Sequence, residues 1–177
     1  MDNTQQLINK VEQSGLVTLD LAAFLPSVPV VPFDLKDHLV QGLVLMEKPF
    51  REALSKIDWS SYEGKAVGIY CSADALIPLW AYMLVAGYLE PYAATVVYGN
   101  AEEAEAQLLV KAIENMDLQP YHDARVVVKG CGDKAIPPAA FIAISRVLKP
   151  VVKSLMYGEP CSTVPVYKNQ SAKRTSL

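Results

Sequence analysis

The sequence predicts an α/β fold: a single domain with a three-layer core of βα repeats, a mostly parallel sheet, and N-terminal strands that extend one edge of it. Three observations predict this class. A chain of 177 residues can bury one substantial core. Its second half alternates short β-branched runs with longer apolar segments. The linkers between them are short, which favours βαβ crossovers and parallel strands. The predicted domain spans residues 1–168, and residues 169–177 form a polar tail that we expect to be disordered.

The first third of the sequence predicts strands at the edge of this sheet. Residues 16–21 alternate in polarity and favour a strand. Val30 and Val31 lie between prolines, so an edge strand or an extended loop is expected there. Residues 43–47 predict a further strand. Residues 49–57 then predict a short helix, because Pro49 suits the first turn.

The remaining elements alternate regularly between strand and helix. Asn100 followed by Glu103 resembles a capping box, which marks the start of a helix. Gly158 is a suitable stop for the last helix. The predicted strands are residues 66–70, 95–98, 125–129 and 164–167, and the predicted helices are residues 78–89, 101–115 and 138–156.

Composition excludes several classes of function. The net charge of −3 and the absence of a strong basic patch argue against a nucleic-acid partner. The polar N-terminus lacks the features of a secretion signal, so a cytoplasmic location is expected. The uncharged run at residues 75–89 contains Pro78 and is too short to span a membrane, so it predicts a buried helix and no membrane partner. The apolar content of 51% suggests a homodimer.

Three cysteines are the most distinctive candidates for chemistry. Cys71 and Cys131 follow predicted strands and precede helix starts, where ligands bind in open α/β sheets and where the helix dipole favours a thiolate. Cys161 lies on a proline-flanked loop. Three thiolates could hold zinc, iron or an iron–sulfur cluster with one open position. Accessory oxygen ligands could come from Asp74, Asp133 and Glu159.

The same residues also fit other functions. No pair of cysteines has C-x-x-C spacing, and free cysteine often simply packs in a core. The chain could therefore be a non-catalytic scaffold or protein-interaction domain with structural cysteines. A thiol enzyme would use Cys71 or Cys131 as nucleophile and His38 or His122 as base, but nothing in the sequence ties either histidine to a cysteine. No complete catalytic motif is present, so the sequence assigns no catalytic residue.

One internal similarity connects two of the strand ends. The segment from Cys71 to Pro78 aligns without gaps with the segment from Cys131 to Pro138, sixty residues later. This similarity could reflect a duplicated functional loop. The turn chemistry that two βα units share is, however, sufficient to explain it.

Five segments together resemble an uncharacterised bacterial family, domain of unknown function 2480. They are Gly15 to Leu21, Phe33 to Asp37, Cys71 to Ala75, Trp80 to Met83 and Tyr157 to Pro165. The resemblance covers nearly the whole chain apart from the tail, and it carries no assigned activity. It implies an association with iron–sulfur cluster assembly, and therefore protein partners in metal or cluster handling.

Overall fold

The computed structural model describes residues 16–130, 134–159 and 162–169. These residues form two compact units. The central unit is Pro26–Leu109, and the terminal unit combines Met1–Leu25 with Val110–Leu177. The elements in chain order are β1 (Leu16–Asp20), β2 (Val30–Asp34), α1 (Glu47–Leu54), β3 (Ala66–Tyr70), α2 (Leu79–Leu89), β4 (Thr95–Tyr98), α3 (Ala101–Glu114), β5 (Arg125–Lys129), α4 (Pro138–Leu148), β6 (Ser154–Glu159) and β7 (Ser162–Lys168).

The central unit is built on a three-stranded parallel sheet in the order β2-β3-β4. The middle strand, β3, buries four of its five residues, as a parallel strand covered on both faces should. Helix α2 covers the sheet with Ala81, Val85 and Leu89, which are fully buried. Aromatic and leucine side chains fill the rest of this core, and the indole of Trp59 donates a hydrogen bond to the carbonyl of Leu54 at 3.0 Å.

The terminal unit contains a four-stranded sheet in the order β1-β5-β6-β7. The first three strands are parallel, and β7 returns antiparallel beside β6. Val126 and Val127 on β5 and Ile144 and Leu148 on α4 are buried in its core. The predicted α/β class with mostly parallel strands is confirmed, with the difference that the described strands form two sheets.

The two units repeat one arrangement with a constant shift of 59 residues (125 minus 66, the first residues of β5 and β3). Under this shift β3 corresponds to β5, α2 to α4, and β4 to the first four residues of β6. Pro78 and Pro137 cap the two helices in the same extended conformation. Two backbone hydrogen bonds that shape the connecting turns recur: Gly64 N to Tyr92 O (3.1 Å) matches Asp123 N to Val151 O (2.9 Å), and Ala94 N to Lys65 O matches Lys153 N to Ala124 O, both 2.8 Å.

The first strands of the two sheets, β1 and β2, also take equivalent places. β1 lies beside β5 in the register that β2 takes beside β3. Asp20 and Asp34 end these strands, and each side chain caps the short 3-10 helix that follows. Both strands come from the N-terminal part of the chain, so each unit receives one of them at the edge of its sheet.

Two predicted elements are wrong. Residues 43–47 form no strand: Gln41 and Gly42 take positive φ angles, and the resulting tight turn leaves only single pairings of Val44 with Val40 and Leu76. The last helix ends at Leu148, two residues before Pro150, rather than at 156. Gly158 therefore does not stop a helix but lies in β6 with φ +123°, as its counterpart Gly99 has φ +125°.

Candidate functional site

Cys71 directly follows β3, at the carboxyl end of the central sheet, as predicted. Its side chain is half-buried and packs against the aromatic core of the central unit. The thiol donates a hydrogen bond to the carbonyl of Ala73 at 3.5 Å, a long contact that holds it against its own loop. The side chain of Cys71 thus packs in part on the core, while its thiol contacts its own loop.

Asp34 organises the strand ends around Cys71. Its carboxylate accepts hydrogen bonds from the backbone amides of Lys36 and Ser72, both at 3.0 Å. Partial burial opposes its ionisation, but the hydroxyls of Ser72 and Tyr70 add to these amide bonds and the pKa of Asp34 is lowered. Desolvation and the charge of Asp34 raise the pKa of Tyr70 in turn. These bonds tie β2 to the turn after β3, which is a structural task.

The terminal unit places an ion pair at the equivalent position. Asp20 accepts a hydrogen bond from the amide of Ala22 at 2.9 Å and pairs with Lys129 at 3.2 Å. The Ala22 amide, with a further contribution from Lys129, lowers the pKa of Asp20 against the opposing effect of desolvation. A carboxylate therefore joins the first strand to the second in both units, with lysine in one and tyrosine in the other as partner.

The repeat changes how the cysteines correspond. Because the elements on either side of both loops carry a shift of 59 residues, Cys71 corresponds to Gly130, and Cys131 to Ser72. The alignment sixty residues apart, which matched Cys71 with Cys131, is therefore off by one residue. At this shift the two cysteines are not corresponding residues of the sequence, so the repeat provides no support for a duplicated cysteine site.

Of the other predicted metal ligands, the structure describes two and leaves three outside the described residues. Cys131, Cys161 and Asp133 lie outside the described residues. Asp74 is exposed in the loop after Cys71, and Glu159 is exposed at the end of β6 in the terminal unit. Within residues 16–130, 134–159 and 162–169, no group of three histidine, cysteine or acidic side chains is arranged to hold a metal ion. The three-cysteine site stays a prediction.

The histidines occupy different environments. His38 stacks on Phe33 with ring centroids 5.6 Å apart and meets the edge of Phe50 at 5.3 Å. Burial in this aromatic cluster lowers the pKa of His38, although the neighbouring Asp37 opposes the shift. His122 is exposed in a turn, where its backbone amide donates to the carbonyl of Gln119. His38 therefore contributes to packing as an aromatic ring.

The central unit also exposes large apolar side chains that the sequence analysis did not single out. Leu76, Leu79 and Met83 are 83%, 80% and 75% exposed. Their spacing of three and four residues puts them on one side of α2 and of the turn that leads into it. Val44, which pairs with Leu76, joins this stripe to the preceding loop. We define the apolar patch as Leu43, Val44, Met46, Leu76, Leu79 and Met83.

The same helix face differs in the terminal unit. Met83 corresponds to Ile142, which is 62% exposed, but Leu76 corresponds to Ala135 and Leu79 to Pro138. One turn further on, α4 presents Arg146, which lies 3.6 Å from Glu114, where α2 has glycine. The outer face of α4 thus carries a proline and a charged residue, whereas the outer face of α2 carries only uncharged residues.

The terminal unit contains a cavity of about 270 Å³ between α4 and its sheet. Its lining is mostly apolar, and the hydroxyl of Ser145 donates to the carbonyl of Phe141 at 2.7 Å. The lining residues are Val128, Phe141, Ile144, Ser145, Leu155, Met156, Tyr157 and Val166. The cavity is slightly below the usual range of ligand pockets, about 300–1,000 Å³. It offers no arrangement of groups for catalysis.

Comparisons with known proteins define the family and nothing finer. No helix among the described residues is both long and apolar enough to cross a membrane. No curated protein matches the chain, and no solved structure matches it. One family model, described as "Protein of unknown function (DUF2480)", matches residues 5–169. Since this match covers nearly the whole sequence and confirms the resemblance seen there, the chain belongs to the DUF2480 family.

Proposed function

We propose that this protein is a non-catalytic protein-interaction module that binds its partner through the apolar patch of the central unit. One observation carries the proposal: α2 is apolar on both sides. Its inner side packs on the sheet through Ala81, Val85 and Leu89, while Leu79 and Met83 on the outer side are exposed. A helix that is apolar all round is normally buried, so the outer side calls for a second covering surface.

The size of the patch supports this function. Its six large side chains are about two thirds exposed on average, which leaves on the order of 800 Å² of mostly apolar surface. Monomeric proteins rarely expose contiguous apolar patches beyond a few hundred Å², and larger ones usually mark binding surfaces. Single exposed leucines need no explanation, but a connected group of this size does.

The internal repeat supports the proposal independently. The corresponding helix α4 has the same place beside its sheet but presents Pro138 and Arg146 on its outer side. The repeated architecture therefore does not itself require an apolar outer face. At the position of Met83 the terminal unit also exposes an apolar residue, Ile142, so the difference between the two outer faces lies at Leu79, which corresponds to Pro138, and at Gly87, which corresponds to Arg146. Contact with a partner is a sufficient reason for that difference.

Charge favours a protein over an anionic membrane as the partner. Helices that lie on membranes usually combine an apolar face with lysine and arginine. Residues 39–46 and 75–89, which carry the patch, contain no basic residue. The half-buried, hydrogen-bonded thiol of Cys71 supports the structural role of that cysteine in this proposal.

Site-specific photo-crosslinking in cells tests the function. A photoreactive residue at position 83 should give discrete protein adducts. The same residue at position 142 is the matched control, because Ile142 occupies the corresponding, exposed position of α4. Position 102, on exposed polar α3, serves as a second control. Equal adduct yields at positions 83 and 142, or none at 83, would refute the proposal.

A further inference from the structure

We infer that the partner covering the apolar patch is a second copy of this chain, so that two central units form a twofold-symmetric dimer. The inference rests on the proposed function and names its partner. In such a dimer the same surface appears on both sides, so the surface must be compatible with itself. The properties of the patch can be compared with that requirement one by one.

The first property is charge. The segments that carry the patch, residues 39–46 and 75–89, contain no charged residue of either sign. A surface that binds a charged partner would display complementary charges, and a surface with one dominant sign would repel its own copy. These uncharged segments have neither effect, and the exposed charges that adjoin them, among them Asp74, Glu47 and Lys48, are of both signs, so the surface is suited to face itself.

The second property is area. The patch exposes on the order of 800 Å², which equals the roughly 800 Å² that each partner contributes to a standard-size protein interface. Complete coverage of the patch by its copy would therefore give an interface of standard size. Interfaces between identical chains are also the more apolar class, which agrees with the composition of the patch.

The third property is shape. Gly87 follows Met83 by one helical turn, and a Cβ added there would meet no heavy atom within 4 Å. The outer side of α2 therefore ends in open space, and no bulky side chain separates an approaching surface from the helix. The terminal unit has Arg146 at this position, whose long charged side chain would oppose such an approach.

The mass of the purified full-length chain in solution tests this inference. Light scattering over a concentration series should give twice the chain mass of 19.4 kDa at high concentration. Met83→Glu should weaken association by about thirtyfold or more, because a charge would be buried in the interface against apolar side chains. Ile142→Glu is the matched control and should leave the dimer intact. Leu79→Lys provides a second, independent disruption of the patch.

Circular dichroism and tryptophan fluorescence of each variant check that the fold is retained, which we expect because Met83 and Leu79 are exposed. A chain that is monomeric at every concentration would overturn the inference. So would a dimer that survives both Met83→Glu and Leu79→Lys. If the chain is monomeric but position 83 still crosslinks to a different protein in cells, the second copy is refuted and the proposed interaction function stands. Without adducts at position 83, both are refuted.

Discussion

Replacing Gly68 by alanine tests how closely the start of α3 approaches the central sheet. Gly68 is the middle residue of β3. A Cβ at this position would overlap the carbonyl oxygen of Gly99 and lie 3.0 Å from the Cβ of Ala104 and 3.1 Å from the carbonyl oxygen of Asn100. These are backbone atoms and a methyl group that cannot rotate away, so the contact can be relieved only if β3 or the first turn of α3 moves.

The expected magnitude follows from two opposing contributions. Removing a glycine from a strand interior would by itself stabilise the protein by about 0.5–1 kcal/mol. Overpacking a tight interior typically costs about 1–3 kcal/mol, and contacts below 3.0 Å with backbone belong at the upper end. The net expectation is a loss of about 1–2 kcal/mol, which lowers the urea midpoint by roughly 0.5–1 M for a typical denaturant dependence.

Gly87→Ala is the matched control, with the opposite expected sign. Gly87 lies in α2, and an added Cβ meets nothing within 4 Å. Alanine should therefore stabilise the helix by about 0.5–1 kcal/mol. Both substitutions are made in the Met83→Glu background, so that self-association does not contribute to the measured stability.

Urea denaturation followed by tryptophan fluorescence is the assay. The chain contains two tryptophans, Trp59 and Trp80, and both lie in the central unit, so the signal reports on the unit that carries the substitutions. We expect Gly68→Ala to lower the midpoint and Gly87→Ala to raise it. A Gly68→Ala midpoint at or above that of the parent would refute the close approach of α3 to β3.

Three further predictions concern the central unit. Burial lowers the pKa of His38 below its ordinary value of 6.5, so as the pH falls the unfolded chain takes up a proton at His38 before the folded chain does. The free energy of unfolding should therefore decrease as the pH drops below about 6.5. His38→Phe should remove the contribution of His38 to this decrease in the urea midpoint, and a pH profile that the substitution leaves unchanged would contradict the prediction. Asn100→Ala removes the hydrogen bond that the Glu103 amide donates to the Asn100 side chain at 3.0 Å, whereas the bond from the Asn100 amide to the Glu103 carboxylate is retained. The change should cost about 1 kcal/mol, and Asn100→Ser should largely retain stability; equal midpoints for the two variants would refute the cap. In a variant lacking the other two cysteines, Cys71 should react with a thiol reagent more slowly in the native than in the urea-unfolded protein; equal rates would contradict its packed role.

The elements that the sequence predicted well are those with strong local determinants. β3, β4 and β5 agree residue for residue with their predicted bounds, because each is a short run that contains valine, isoleucine or tyrosine between turn residues. The capping box at Asn100 is present with both of its hydrogen bonds. In these segments local propensity and tertiary packing favour the same structure.

The errors arose where an apolar run has no clear period. The region after Leu148 is apolar enough to continue a helix, but Pro150 follows two residues later, just as Pro91 follows Leu89 in the corresponding part of the central unit. Proline disfavours helical backbone in the residue before it. Comparison of the two halves at a shift of 59 residues would have placed the end of α4 correctly.

The candidate site was less predictable than the fold. The sequence placed Cys71 correctly at a strand end, but strand position alone does not show whether a thiol packs or binds a ligand. The apolar patch was missed because residues 75–89 are apolar throughout and predict a buried helix. Leu79 and Met83 are as apolar as Val85 and Leu89, so the sequence does not show which of them face the sheet. The structure shows that Val85 and Leu89 do and that Leu79 and Met83 face outward.

Oxidation of the methionines tests the central claim, that the apolar patch is covered by a partner, most directly. Met83 is 75% and Met46 is 50% exposed, whereas Met156 in the terminal unit is half-buried and serves as the internal reference. Peroxide oxidation, followed by peptide mass spectrometry, is measured at low and high concentrations of the purified chain. We predict that Met83 and Met46 become protected as the concentration rises, while Met156 keeps its rate. If Met83 of the purified chain is oxidised fast at every concentration, a second copy does not cover the patch. If Met83 is also oxidised fast when the chain is in cell extract, no other protein covers it either, and the patch is not a binding surface.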